Sequence, residues 1–269
     1  MNFGLIIIGD EILSGKRADK HLPKVIELLT ERGMVLSWAR YVGDERATIT
    51  AVLRDALASG DAVFSCGGIG ATPDDHTRQC AAAALGVDLL LHPQARELIV
   101  QRMREVAAEQ GADFDPDRPD NLHRLNMGVF PAGASIIANP FNKIPGFSCR
   151  GQGGGAVHFV PGFPVMAWPM IAALLDTDYA ALHGSGRREE RSVIVYGAME
   201  AALTPLMEAI EAEFAEIRVF SLPSVDHPVH GRHIELGVKG PQAAVGEAYV
   251  ALRRGLESQQ ARLGPEMVR

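Results

Sequence analysis

Cysteine is scarce in this chain. Cys66, Cys80 and Cys149 are the only three, and no two share a C-x-x-C spacing. So odd and sparse a set excludes a disulfide framework and points to buried thiols in a reducing compartment. Positive charge is not in excess either. The 269 residues carry a net charge of -7, and neither the first two thirds nor the remainder is basic, which excludes a general nucleic-acid binder. The N-terminus, MNFGLIIIGDE, has no basic region and meets an acid at Asp10. It reads as a poor signal peptide and is too short to span a bilayer, so no membrane partner is expected. Repeats and low-complexity tracts are absent. What is present is a 47% apolar composition, enough for a large core, and the expectation is a soluble cytoplasmic protein.

The apolar residues alternate between strand and helix patterns. Phe3 to Ile8 is a continuous run, as in a strand covered on both faces. Leu22, Val25, Ile26, Leu28 and Leu29 recur at helical spacing, with Gly33 placed as a C-cap. Met34 to Val42 reads as a strand, Ile49 to Leu57 as a helix stripe, and Ala62 to Cys66 as a third strand. Thr77 to Leu85, Val87 to Leu91 and Pro93 to about Gln110 read as helix, strand and helix. Residues 145–162 read as a hairpin turning at Gly153 to Gly155, followed by a helix from Pro164 to Leu175. This order predicts an α/β fold with a parallel sheet and helices on both faces, whose ligands sit beyond the C-terminal strand ends. The small, charged stretch His183 to Glu190 marks a boundary between a domain at 1–182 and a smaller βαββα (α+β) domain at 188–262.

The most informative segment is Asp61 to Thr77, DAVFSCGGIGATPDDHT. A strand breaks into Gly67, Gly68 and Gly70, then into Thr72, Pro73 and two acids, then into a helix. Glycines let a backbone approach an anion closely, and a helix start offers unpaired N–H groups. Asp74 and Asp75 would repel a bare phosphate but suit one arriving with Mg²⁺ or a similar divalent cation. Asp75 has a second reading, as the N3 member of a capping box with Thr72 as N-cap. Thr77 is placed to donate to a phosphate oxygen or to buttress the loop. Asp10, with Glu11, follows the first strand and reaches the same edge, as do Ser14 and Gly15. In the loop from Asn139 to Gly146, Lys143 offers a phosphate counter-charge. His227, His230 and His233 lie three residues apart; they raise a zinc reading that Pro228 and Gly231 oppose by suggesting a turn.

With these residues in hand, positions 3–180 resemble the molybdopterin-binding domain found in MoaB, MogA, MoeA and gephyrin, and are most similar to its CinA-type branch. The resemblance rests on GDEILSG (Gly9 to Gly15), GGIGATPDDHT (Gly67 to Thr77), Pro131 to Pro140, Pro145-Gly146, and PGFP (Pro161 to Pro164) before a helix. The small second domain resembles the one that follows in CinA proteins. The resemblance implies a three-layer α/β/α domain, self-association as a dimer or trimer, and a nucleotide or pterin phosphate (molybdopterin among them) as ligand. It implies catalytic roles for Asp75 and Asp10, metal ligation by Asp75 and Asp74, and ligand contacts from Gly67, Gly68, Gly70, Thr77, Ser14, Lys143 and Gly146. CinA-type domains are associated with hydrolysis of ADP-ribose; MogA-type members adenylate molybdopterin using Mg²⁺ and ATP. The chain departs from the CinA pattern at Asn142-Lys143-Ile144, where Gly-Thr-Ala is usual, and at Met166, where an acid is usual. The amidohydrolase domain of CinA is not within these 269 residues, so nicotinamide-nucleotide deamidation is not expected of them. A metal-dependent pyrophosphohydrolase, a molybdopterin adenylyltransferase and a non-catalytic ligand-binding or assembly protein are the three readings that follow.

Overall fold

A computed structural model of the chain describes residues 1–184 and 188–269. The chain divides into two units, residues 1–183 and 184–269. Ser185, Gly186 and Arg187, within the stretch marked above as a boundary, lie outside the described residues.

In the first unit the elements follow in order β1 (Phe3–Ile8), α1 (Asp10–Leu13), α2 (His21–Thr30), β2 (Leu36–Val42), α3 (Arg46–Ala58) and β3 (Ala62–Cys66). Then come α4 (Thr77–Leu85), β4 (Leu89–Leu91), α5 (Pro93–Glu109), α6 (Pro119–Arg124), β5 (Val129–Pro131) and β6 (Ser135–Ile137). The unit ends with β7 (Gly146–Arg150), β8 (Ala156–Val160) and α7 (Pro164–Thr177). Six strands form one sheet in the order β2-β1-β3-β8-β7-β6. β2, β1, β3 and β8 are parallel; β7 and β6 continue the sheet antiparallel.

The period of two along β1 explains the three layers. Phe3, Leu5 and Ile7 pack with Val25, Leu28 and Leu29 of α2 and with Met170, Ile171 and Leu174 of α7. Ile6 and Ile8 point the other way, into a cluster with Ile49 and Leu53 of α3, Cys80 and Ala81 of α4, and Ala95 of α5. A strand buried on both faces must be apolar throughout, which is what Phe3 to Ile8 is. The β7–β8 hairpin turns where Gly153 and Gly154 take φ of 61° and 84°. One expected strand lies elsewhere: β4 leaves the main sheet and pairs with β5 as a separate two-stranded ribbon.

In the second unit β9 (Arg188–Tyr196), α8 (Glu200–Glu213), β10 (Arg218–His227), β11 (Gly231–Pro241), α9 (Gln242–Ser258) and β12 (Arg262–Val268) build an antiparallel sheet ordered β10-β11-β9-β12. Leu203 and Ile210 of α8 and Val245, Leu252 and Leu256 of α9 share one core with Val193, Val195, Leu236 and Val238. The sequence reading ended this unit at residue 262. β12 adds an edge strand beyond it, with its register shifted between Leu263 and Glu266 around Gly264-Pro265.

Candidate functional site

Because β1, β2, β3 and β8 run parallel, the loops that follow them meet at one edge of the sheet. Backbone bonds tie the loops together: Gly9 N–H donates to Val42 (3.0 Å) and Gly67 N–H to Val160 (3.0 Å). The sharp exit from β3 needs glycine. Gly67 and Gly68 take φ of 107° and 67°, and a side chain at Gly67 would strike the Ile8 carbonyl. Thr77 is fully buried; its N–H donates to Gly68 (3.0 Å) and its hydroxyl to Gly67 (3.1 Å). Its hydroxyl therefore buttresses the loop from within and is not presented to a ligand.

This bracing leaves a row of free donors. The backbone N–H groups of Gly68, Ile69, Gly70 and Ala71 have no hydrogen-bond acceptor among the described residues. Consecutive unpaired amides in a tight turn are a recurrent anion-binding arrangement. The next residues close on themselves. Asp75 N–H donates to Thr72 O (3.0 Å), and Asp75 Oδ2 accepts from Thr72 N (2.8 Å) and Thr72 Oγ1 (2.5 Å). The expected reciprocal Thr72–Asp75 pair is thus present, but it closes a turn, because α4 begins only at Thr77. Gly70 lacks a side chain for the same reason: a Cβ there would lie 2.6 Å from Asp75 Oδ2.

The acids gather differently from the expectation. Asp10 and Asp44 form a reciprocal brace between the β1 and β2 loops: Asp10 N–H donates to Asp44 Oδ2 (2.9 Å) and Asp44 N–H to Asp10 Oδ1 (3.2 Å). Burial raises the Asp44 pKa above the usual carboxylate range, and the charges of Asp10, Glu11 and Asp74 add to it. Asp10, Glu11, Asp44 and Asp74 therefore share one region of negative potential. Asp75, committed to Thr72, acts instead on buried Arg78. Asp74 is exposed. Among the described residues no three His, Cys, Asp or Glu side chains are arranged to hold a metal ion.

The other expected contacts are spread around this edge. Ser14 caps α1 and is exposed. Lys143 takes a left-handed φ of 65°, and its ammonium pairs with Glu105 of α5, so its charge is already answered. Asn139 Nδ2 bonds Asn142 Oδ1 (2.8 Å) and Ile144 O (2.9 Å), which closes the 139–146 loop, and Asn142 Nδ2 lies 3.6 Å from Met166 Sδ. Gly146 is buried where a side chain would strike the Phe159 carbonyl. Its glycine answers packing.

Three residues that sequence reasoning passed over also belong here. Gly43 lacks a side chain because a Cβ would lie 2.5 Å from Asp10 Oδ1. Asp44 follows it, and the signal was legible: Gly43-Asp44-Glu45 repeats Gly9-Asp10-Glu11 at the end of the neighbouring strand. Arg78, 5% exposed, donates from Nη2 to Gly70 O (2.7 Å) and from Nη1 to Asn126 O. Nothing in the sequence marks it as buried.

In the second unit His227, His230 and His233 do come together, with ring centres 5.0, 5.2 and 5.6 Å apart at the β10–β11 tip. His227 Nδ1 accepts from Val229 N (3.2 Å) and His230 N (3.1 Å), which makes it part of the turn. All three cysteines are free and buried, and burial raises the Cys66 thiol. Among the described residues no helix is long and apolar enough to cross a membrane.

Comparison with known proteins agrees with this architecture. A family profile described as "Probable molybdopterin binding domain" matches residues 4–181. The protein Ta0487 of Thermoplasma acidophilum is 30% identical over 279 residues, spanning 100% of this chain and 96% of that one. A CinA-like protein of Anaeromyxobacter dehalogenans is 32% identical over 165 residues; the match covers 61% of this chain and only 38% of that longer protein. A crystal structure of "the protein CinA with unknown function" from Thermoplasma acidophilum superposes with a TM-score of 0.54 at 30% identity, covering 65% of this chain and 96% of that chain. The chain belongs to the molybdopterin-binding (MoaB/Mog-type) domain family and is related to CinA.

Proposed function

We propose that the first unit binds a phosphate-bearing nucleotide or pterin compound at the edge formed by the β1, β2 and β3 loops. The observation that carries this reading is the row of unpaired amides from Gly68 to Ala71 beside the acids Asp10, Asp44 and Asp74. Amides alone would take any small oxyanion. The neighbouring acids select one that brings a divalent cation, since Mg²⁺ is held by one or two carboxylates together with substrate phosphates and needs no all-protein cage. Asp10 and Asp44 would hold it, with Asp74 nearest among the loop acids. When bound, the cation neutralises phosphate charge.

ADP-ribose-like pyrophosphates are the substrate class of this reading, and hydrolysis of the phosphoanhydride is its reaction: water adds to one phosphorus, the bridging P–O bond breaks, and two phosphate monoesters leave. The chain's own part is to bind and orient the phosphates through the 68–71 amides, which Thr77 holds in place. A second, non-catalytic reading is favoured by the 139–146 loop, where Lys143 is neutralised by Glu105 and the asparagines bond one another. Both readings describe a cytoplasmic, self-associating protein. Incubation with ADP-ribose and Mg²⁺ separates them. Release of AMP and ribose phosphate supports hydrolysis; saturable binding without turnover supports the binder; adenylation of molybdopterin from ATP would replace both with nucleotidyl transfer. Absence of binding to any of these ligands removes the proposal.

A further inference from the structure

Two guanidinium groups without carboxylate partners border one cavity of the first unit. The cavity, about 370 Å³, lies between Ala71–Asp75, the start of α4, Arg46 at the start of α3, and the segment from His123 to Val129. Arg78 is nine-tenths buried in its wall. Its two bonds go to carbonyls, its Nε has no partner, and it forms no ion pair among the described residues. Burial lowers its pKa, against the more distant charge of Asp75. A buried cation compensated only by carbonyls is costly, and an anion nearby offsets that cost.

Arg46 is the second. Its Nη2 lies 3.1 Å from His76 Nδ1, and it too pairs with no carboxylate among the described residues. With Nδ1 accepting from Arg46, His76 carries its proton on Nε2 and is a donor there. Gln79 adds an amide, and the first turn of α4 adds unpaired backbone N–H groups. The one acid in the lining, Asp75, is already engaged by Thr72. The lining is thus rich in donors and positive in a chain whose net charge is -7. Pro73, Leu89 and Val129 add apolar lining.

We propose that this cavity is a second anion site that binds a phosphorylated small molecule, with its phosphate against Arg46, His76 and the start of α4 and its carbon skeleton along Pro73, Leu89 and Val129. The volume is more than a bare phosphate fills and falls within the range of small-ligand pockets. The site adjoins the 68–71 row of amides and shares only Ala71 with it. Gly67, Gly68, Gly70, Asp10, Ser14, Lys143 and Gly146 do not line it. An anion here draws no cation, because its counter-charge is built in.

The test uses the full chain at low ionic strength, titrated without metal with ribose 5-phosphate, inorganic phosphate and malonate, and followed by calorimetry and amide NMR. Ribose 5-phosphate should bind more tightly than phosphate, and the His76, Gln79 and Asn126 amides should shift. Arg46→Ala should weaken binding about tenfold or more, the scale of a lost charge-assisted hydrogen bond. Arg46→Lys should fall between, since it keeps the charge and loses the fork. Arg46 is exposed, so the variants keep the fold. Undiminished affinity in Arg46→Ala overturns the proposal, as does malonate binding as tightly as the phosphates. Shifts confined to Gly68–Gly70 and Asp10 would also overturn it while leaving the glycine-loop site standing.

Discussion

Thr77 and Gly68 offer a quantitative test of how the anion loop is braced. Alanine at Gly68 would hold a left-handed backbone (φ 67°), costing about 1–2 kcal/mol. Its Cβ would also strike the Thr77 hydroxyl, which is fully buried and held by its bond to Gly67, so overpacking adds about 1–3 kcal/mol. Gly68→Ala should therefore destabilise the first unit by about 2–5 kcal/mol. Thr77→Ala should cost about 1–3 kcal/mol by leaving the Gly67 carbonyl without its donor. In the double variant the clash disappears while the backbone cost remains, so its loss should fall short of the sum by about 1–3 kcal/mol. Urea unfolding followed by tryptophan fluorescence isolates this unit, because Trp38 and Trp168 both lie in it. Additivity within about 0.5 kcal/mol would refute the claim that the hydroxyl fills the space above Gly68.

Three further outcomes are expected. His158 is buried between Ser148 Oγ (2.7 Å) and Tyr179 Oη (2.6 Å), and burial lowers its pKa from 6.5 to about 4. The unfolded chain then binds the extra proton between these values, so stability is full above about pH 6.5 and falls as pH drops towards 4, by roughly 3 kcal/mol; His158→Gln should flatten that slope in urea titrations. Asp10→Asn and Asp44→Asn keep the acceptor oxygens of the brace and lose the charge, so each should reduce Mg²⁺-dependent ADP-ribose binding about tenfold with a stability change within about 0.5 kcal/mol, read by calorimetry and thermal melting. Gly237→Ala would place a Cβ 2.5 Å from Phe220 Cζ and 2.6 Å from Ser192 Cβ, and should speed amide exchange at Val193, Val195 and Leu236 by destabilising the second unit about 1–3 kcal/mol.

Local patterns carried much of the fold into the sequence. Phe3 to Ile8, Ala62 to Cys66 and Thr77 to Leu85 fold with the bounds that periodicity and glycine set. Patterns cannot say which sheet a strand joins: Leu89–Leu91 is as apolar as a sheet strand yet pairs with Val129–Pro131, because pairing is decided by chain segments far apart. β12 was hidden by Gly264-Pro265, which breaks the strand signal but is tolerated on an edge. At the site the glycine loop was legible because it is contiguous. The Asp10–Asp44 brace and the Arg46–Arg78 cavity were not, since each joins residues from separate loops and Arg78 looks in sequence like any helix-surface cation. Thr77 shows the remaining limit: the sequence allowed a ligand donor or a buttress, and only its burial chooses.

The most direct test of the central claim is a crystal structure of the chain soaked with ADP-ribose and Mg²⁺. Phosphate oxygens should lie about 2.7–3.2 Å from the N–H groups of Gly68 to Ala71, with the cation between them and Asp10 or Asp44. A ligand seated elsewhere in the first unit, with those four amides still unpaired, would contradict the account.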